Sequence, residues 1–128
     1  MVACFAKNQL PRRSNLDNLI FIIDANKLQG FGFTNEVMNM QPIDKKIKSF
    51  NVNLIEIDGH NFKEIHKAFN KQFDNSKPKC IIANTVKGKG ISFMENKLEW
   101  HYNVLTDELY NIALQDLNIA QKELNCEK

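Results

Sequence analysis

Five apolar residues in a row, Leu19-Ile20-Phe21-Ile22-Ile23, dominate the hydrophobic pattern of the chain. A run without alternation predicts a strand covered on both faces, the habit of parallel sheets. Asp24 and Asn26 follow at its carboxyl end, then Gly30 and Gly32. Residues 52–57 read as a second strand closing at Asp58-Gly59, and residues 80–83 as a short third one. Between the strands the spacing turns helical. Pro42 suits the first position of a helix running to about residue 50, with Ile43, Ile47 and Phe50 on one face. Asn61 and Glu64 have the spacing of a capping box, and the helix they start carries Phe62, Ile65, Phe69 and Phe73 along one stripe, expected to be core. Thr106 can cap a last helix, with Asp107 and Glu108 where the dipole favours them. Leu109, Ile112, Ala113, Leu117, Ala120 and Leu124 would be its buried face.

The connections are polar. Residues 2–9 read as the end of a helix stopped by Pro11, residues 12–18 as a link to the first strand, and residues 34–40 as loop or a single helical turn. Residues 74–79 form a turn with Pro78, and residues 85–102 a long irregular stretch rich in Lys and Gly, marked as surface. Strands alternating with helices predict an α/β fold, a parallel sheet with helices on both faces. Three parallel strands leave two open edges, so the sheet is expected to be an incomplete part of a larger one.

Composition narrows the partners. The 128 residues suffice for one compact domain. At 43% hydrophobic and 25% charged, the composition is that of an ordinary soluble protein. A net charge of +2 is too small to imply nucleic acid, and of the 17 basic residues only Arg12 and Arg13 are arginine. Cys4, Cys80 and Cys126 have no paired spacing, and Cys80 lies in an apolar strand, which favours a reduced thiol over a disulfide or zinc ligand. No apolar segment approaches the length of a membrane span, and no secretory signal pattern opens the chain. A cytoplasmic protein with neither nucleic acid nor membrane as partner is expected.

Candidate chemistry lies beyond the strand ends, where ligands sit in open α/β sheets. Asp24 and Asn26 can offer oxygens to a hard cation such as magnesium, or they can make a turn by bonding their own backbone. Lys87-Gly88-Lys89-Gly90 resembles a phosphate-cradling loop without the Gly-Lys-Ser/Thr of a P-loop; a flexible solvated loop with two lysines fits it equally. His101 beside Trp100 is either a binding group or part of an aromatic pair that packs the loop. His66 lies off the apolar stripe, where solvent exposure explains it, and Asp58 can bond the turn at Gly59.

Several segments in sequence carry a family resemblance. Leu16-Asp17-Asn18-Leu19-Ile20, Asp24-Ala25-Asn26-Lys27-Leu28-Gln29, Ile57-Asp58-Gly59-His60 and Thr85-Val86-Lys87-Gly88-Lys89-Gly90-Ile91-Ser92-Phe93-Met94-Glu95-Asn96 occur in order, and Trp100-His101 follows. Together, over about residues 4–120, they resemble the second half of the diphosphate-binding domain of transketolase. The likeness is to the N-terminal subunit of the split bacterial-type enzymes. That resemblance implies thiamine diphosphate held through magnesium (Mg2+), by a motif that begins Gly-Asp-Gly and ends in Asn. Asn26 matches the asparagine whose side chain is a metal ligand, and Leu28 the position that gives a backbone carbonyl to the metal, both within the cofactor site. His101 resembles the histidine that reaches the diphosphate and the substrate's hydroxyls, a cofactor-binding and catalytic role; glycine usually follows it, where this chain has Tyr102. His60 belongs to an Asp-Gly-His turn read as structural.

No residue ahead of Asn26 is glycine, so the Gly-Asp-Gly half of the motif, with its anionic metal ligand, is expected to lie outside this chain. The domain that cradles the aminopyrimidine ring is expected to lie outside it too. The resemblance therefore implies that residues 1–128 are one partial thiamine diphosphate-binding domain. It would be a fragment of an enzyme that transfers ketol units between sugar phosphates, inactive alone. Its expected partner is a second copy or a complementary subunit carrying the pyrimidine-binding domain. The alternative is a non-catalytic remnant of the same fold.

Overall fold

The structure, a computed structural model, describes residues 19–73 and 77–126, with side chains described through residue 119. The expected helix over 2–9, the link over 12–18, Cys4, the middle of the 74–79 turn and the side chains of Ala120 and Leu124 lie outside that description. In chain order the elements are β1 (Ile20–Asp24), β2 (Leu28–Gln29), β3 (Gly32–Phe33), α1 (Thr34–Val37), α2 (Ile43–Lys48), β4 (Asn53–Asp58), α3 (Phe62–Asn70), β5 (Lys79–Asn84) and α4 (Asp107–Cys126). A single 3-10 turn, Leu98–His101, breaks the long connection between β5 and α4.

The apolar run becomes β1, and it pairs in parallel with β5, Ile23 opposite Ile82. On its other side β5 pairs in parallel with β4, Ile57 opposite Ala83. The sheet order is thus β1-β5-β4, with β5 in the middle. Because side chains alternate along a strand, β5 divides the core in two. Cys80 and Ile82 join Ile23 on one face, beneath Ile43 and Ile47 of α2. Ile81 and Ala83 join Ile57 on the other, against Ile65 and Ala68 of α3. Helices therefore cover both faces, and the α/β expectation holds.

Local signals explain how α3 is held. The Asn61 side-chain oxygen accepts from the N–H groups of Lys63 and Glu64 at 3.0 and 3.3 Å. Glu64 departs from the capping-box expectation: its carboxylate reaches past the Asn61 backbone and accepts from the Asp58 N–H at 2.8 Å. At the other end the Lys79 ammonium donates to the carbonyls of Ala68, Phe69 and Lys71 at 3.2, 2.8 and 3.0 Å. Those are carbonyls a helix end leaves without partners. Pro42 stands one place outside its expected position, as the extended residue before α2.

Two expectations about burial fail. Of the aromatic stripe, Phe62 is 84% exposed and Phe69 45%, because α3 meets the sheet through Ile65 and the small Ala68. On α4 only Ala113 is buried among the described side chains, while Ile112 and Leu117 are 41% and 50% exposed. Both helices have the periodicity of a covered face, and among the described residues each is covered over only part of it.

Candidate functional site at the carboxyl rim

All strands of the parallel sheet end on one rim, and there the chain brings distant segments together. Ala25 donates its N–H to Ala83 at 2.8 Å, carrying β1 past the end of the pairing. The Asp24 carboxylate accepts the Thr85 hydroxyl with one oxygen and the Asn26 amide, at 3.3 Å, with the other. Asn26 is half-buried, and its side-chain oxygen accepts the Leu28 N–H at 3.0 Å. The turn reading thus holds for Asn26, while Asp24 bonds two side chains and not its own backbone. An amide oxygen has a second lone pair, so the turn leaves Asn26 able to take a cation. Between Asn26 and Leu28, Lys27 adopts a left-handed backbone, φ 64°, which costs a residue with a β-carbon about 1–2 kcal/mol.

After that kink, β2 and β3 form a two-residue hairpin across Gly30-Phe31, with Leu28 opposite Phe33, and Thr34 closes it with an N–H to the Lys27 carbonyl at 2.8 Å. The hairpin was missed in the sequence, although the paired glycines of Leu-Gln-Gly-Phe-Gly-Phe are a turn signal between short apolar stretches. Its tip meets His101. The His101 ring lies 3.9 Å from where a Gly30 β-carbon would sit, and the Tyr102 hydroxyl donates to the Gly30 carbonyl at 3.0 Å. His101 is exposed, and its aromatic neighbour is Tyr102, edge-on at 4.8 Å. Trp100 packs instead on Phe93, ring centres 5.0 Å apart, which settles which of the two aromatics packs the loop.

His60 is structural here: its Nε2 accepts the Val86 N–H at 2.8 Å and ties the β4–α3 turn to the start of the long loop. Gly59 lets that turn cross β5, since a β-carbon would lie 2.5 Å from Thr85 and 3.1 Å from the Asn84 carbonyl. Asp58 bonds the turn through the His60 N–H, as anticipated, and the exposed His66 pairs with Asn70.

The Lys87–Gly90 segment is not an open phosphate cradle. Lys89 donates its N–H to Val86, Gly90 to the Glu95 carboxylate at 2.9 Å and Ile91 to Gly88, so these amides are used within the loop. Gly88 has φ +73°, and a β-carbon there would lie 2.6 Å from the Met94 carbonyl oxygen, so glycine serves the folding of the loop onto itself. Lys89 sits 3.8 Å from Glu95. Ser92 docks the loop on α4, its N–H and hydroxyl both reaching Asp116 at 2.8 Å.

As a metal site the rim is partial. Asn26 and Leu28 could supply neutral oxygens, and the neighbouring carboxylate of Asp24 already serves Thr85 and Asn26. Among the described residues no group of three or more His, Cys, Asp and Glu side chains could hold a metal. Magnesium is usually held by one or two carboxylates in octahedral geometry. Asn26 and Leu28 could fill part of such a shell, and among the described residues no free carboxylate joins them.

A parallel sheet with helices on both faces, carrying at its carboxyl rim an Asn-containing turn and a hairpin whose tip meets a histidine, defines the class as an α/β domain with a candidate site at the strand ends. The family model for "Transketolase, thiamine diphosphate binding domain" matches residues 6–123, and the chain belongs to that family. It is 41% identical over 102 residues to a subunit of the apulose-4-phosphate transketolase of Actinobacillus succinogenes, a match covering 80% of this chain and 37% of that protein. It is 36% identical over 126 residues to the subunit of the same name from Phocaeicola vulgatus, covering 98% of this chain and 43% of that protein. The chain thus spans less than half the length of these relatives. Among solved structures, transketolase from Campylobacter jejuni superposes with a TM-score of 0.73 at 28% identity, over 81% of this chain and 16% of that one. No helix of the described residues is long and apolar enough to cross a membrane.

Proposed function

We propose that this chain forms one wall of the magnesium–thiamine diphosphate site of a transketolase that transfers two-carbon ketol units between sugar phosphates. The wall is completed by polypeptide carrying the Gly-Asp-Gly motif and the pyrimidine-binding domain. The observation that carries the reading is the meeting of His101 with the Gly30 tip of the hairpin that follows Asn26, segments far apart in sequence joined at one rim of the sheet. The kinked backbone at Lys27 stands at that same turn, where strain commonly accompanies function.

In this reading Asn26 gives its free lone pair and Leu28 its carbonyl to the magnesium ion, and the complementary chain gives the carboxylate. Thiamine diphosphate, when bound, supplies the electron sink for breaking and remaking the carbon–carbon bond of the ketose. His101, exposed at the hairpin tip, donates a hydrogen bond to the diphosphate or to a sugar hydroxyl. The proposed partner is a complementary subunit or a second copy, and the proposed compartment is the cytoplasm. Relatives named as single subunits of a transketolase support a divided enzyme.

The test is calorimetric titration with magnesium and thiamine diphosphate. The chain alone should bind weakly or not at all. Mixed with a polypeptide supplying the missing motif and pyrimidine domain, it should bind, and Asn26→Ala in the mixture should weaken binding by at least about tenfold. Equal binding by the Asn26→Ala mixture would remove the assigned ligand. No binding by the wild-type mixture would leave a remnant fold.

A further inference from the structure

Tyr102 stands where the family usually has glycine, and the structure gives it a task. Its hydroxyl donates to the Gly30 carbonyl at 3.0 Å, and its ring stands edge-on to His101, the planes 89° apart. Among the described residues, this is the side-chain hydrogen bond that joins residues 98–105 to the hairpin. Otherwise His101 ends one short 3-10 turn, closed by the N–H groups of Tyr102 and Asn103 on the Glu99 carbonyl at 3.0 and 2.9 Å. From His101 to Glu108 every residue is exposed. Packing alone does not fix the imidazole.

Gly30 completes the pair. Unlike Gly32, Gly88 and Gly90 it has no positive φ, so its backbone does not demand glycine. What a side chain there would meet is the Tyr102 hydroxyl, 2.9 Å from the would-be β-carbon. A methyl group would push the hydroxyl off the carbonyl.

We propose that Tyr102 is a positioning residue, whose hydroxyl clamps His101 against the turn that follows Asn26, with Gly30 keeping the approach open. The proposal rests on the reading that Asn26 and His101 serve one cofactor site, and it adds the group that holds them in register. The loop histidine that glycine would leave free to swing is here held in place before any ligand arrives, so less ordering remains to be done on binding.

The experiment is NMR on the full chain with labelled histidine. In the wild type a nuclear Overhauser cross-peak should connect the His101 Hδ2 with a Gly30 Hα, since the ring lies 3.9 Å from the position one of those hydrogens points toward. Tyr102→Phe, which keeps the ring and removes the hydroxyl, should abolish that cross-peak and move the His101 ring signals. The His60 and His66 signals, on Val86 and Asn70, should stay in place. Gly30→Ala should shift His101 in the same way, and the double variant should go no further, as expected when both act through one contact. A cross-peak that survives Tyr102→Phe, or is missing from the wild type, overturns the clamp. The cofactor reading fails separately, by absent binding in the complemented mixture while the cross-peak is intact.

Discussion

At the scale of single residues, burial sets the chemistry of Cys80. It is fully enclosed between Phe21 and Leu54 on the flanking strands, and desolvation pushes its thiol from 9.0 up to about 11. The thiolate is the reactive form, so this cysteine is inert while the chain is folded, in line with a reduced structural thiol. The same shift has a consequence for stability. Above about pH 9 the unfolded chain loses a proton that the native chain keeps, so stability falls as pH rises through that window and the fall ends near about 11. The difference amounts to about 2–3 kcal/mol at most. Urea unfolding followed from pH 8 to pH 11 should show a steeper decline for the wild type than for Cys80→Val; parallel curves would contradict it.

The site was partly legible at this scale. Asn26 and His101 were singled out by their resemblance to a family's motifs, and Asn26 also by its place at a strand end. Tyr102 and Thr85 were not. Their partners, Gly30 and Asp24, lie 72 and 61 residues away in the chain, and no local pattern encodes such a pairing. Lys87–Gly90 shows the converse. Its composition suits a phosphate cradle, but the Glu95 carboxylate and the loop's own carbonyls occupy its amides.

Among the elements, α3 separates what periodicity reveals from what it leaves open. Its start was written in Asn61 and Glu64 and its helical phase in Phe62, Ile65 and Phe69, while Phe73, expected on the same stripe, lies beyond its end. Which part of that stripe meets the sheet was not written, because a helix lies closest where the side chain is smallest, at Ala68. The strands were easier, and the apolar run of β5 is central and two-sided as such runs suggest. The like run of β1 stands at an edge of the described sheet with Ile20 and Ile22 exposed, against the expectation of two covered faces. The end of α3 depends on Lys79, which comes from β5 and reads in sequence as an ordinary charged residue before a strand. Lys79→Met keeps the aliphatic stem and removes the ammonium. It should destabilise the chain by about 1–2 kcal/mol in urea unfolding, with fraying confined to the last turn of α3. A loss below about 0.3 kcal/mol would place this bond with surface pairs of little consequence.

For the whole molecule, the exposed apolar side chains matter more than the buried ones. Ile20 and Ile22 lie on the sheet face opposite the α2 side and remain 39% and 49% exposed, and Phe62 of α3 and Leu117 of α4 are exposed as well. Apolar surface left in water on this scale marks a site of association. The isolated chain should therefore bind the dye ANS at neutral pH. Ile22→Thr and Leu117→Gln should each reduce the dye signal and leave the urea midpoint within about 0.5 kcal/mol of wild type, the range for surface substitutions. A dye signal unchanged by both would locate the sticky surface elsewhere.

The central place of β5 makes it the keel of this domain. With a neighbour on each edge and a helix-backed core on each face, its amides from Cys80 to Ala83 should be the last to let in deuterium, opening only when everything else has come apart. The rim residues that hang from its far end, Thr85 on Asp24 and Val86 on His60, are thereby moored to the slowest-opening strand of the molecule.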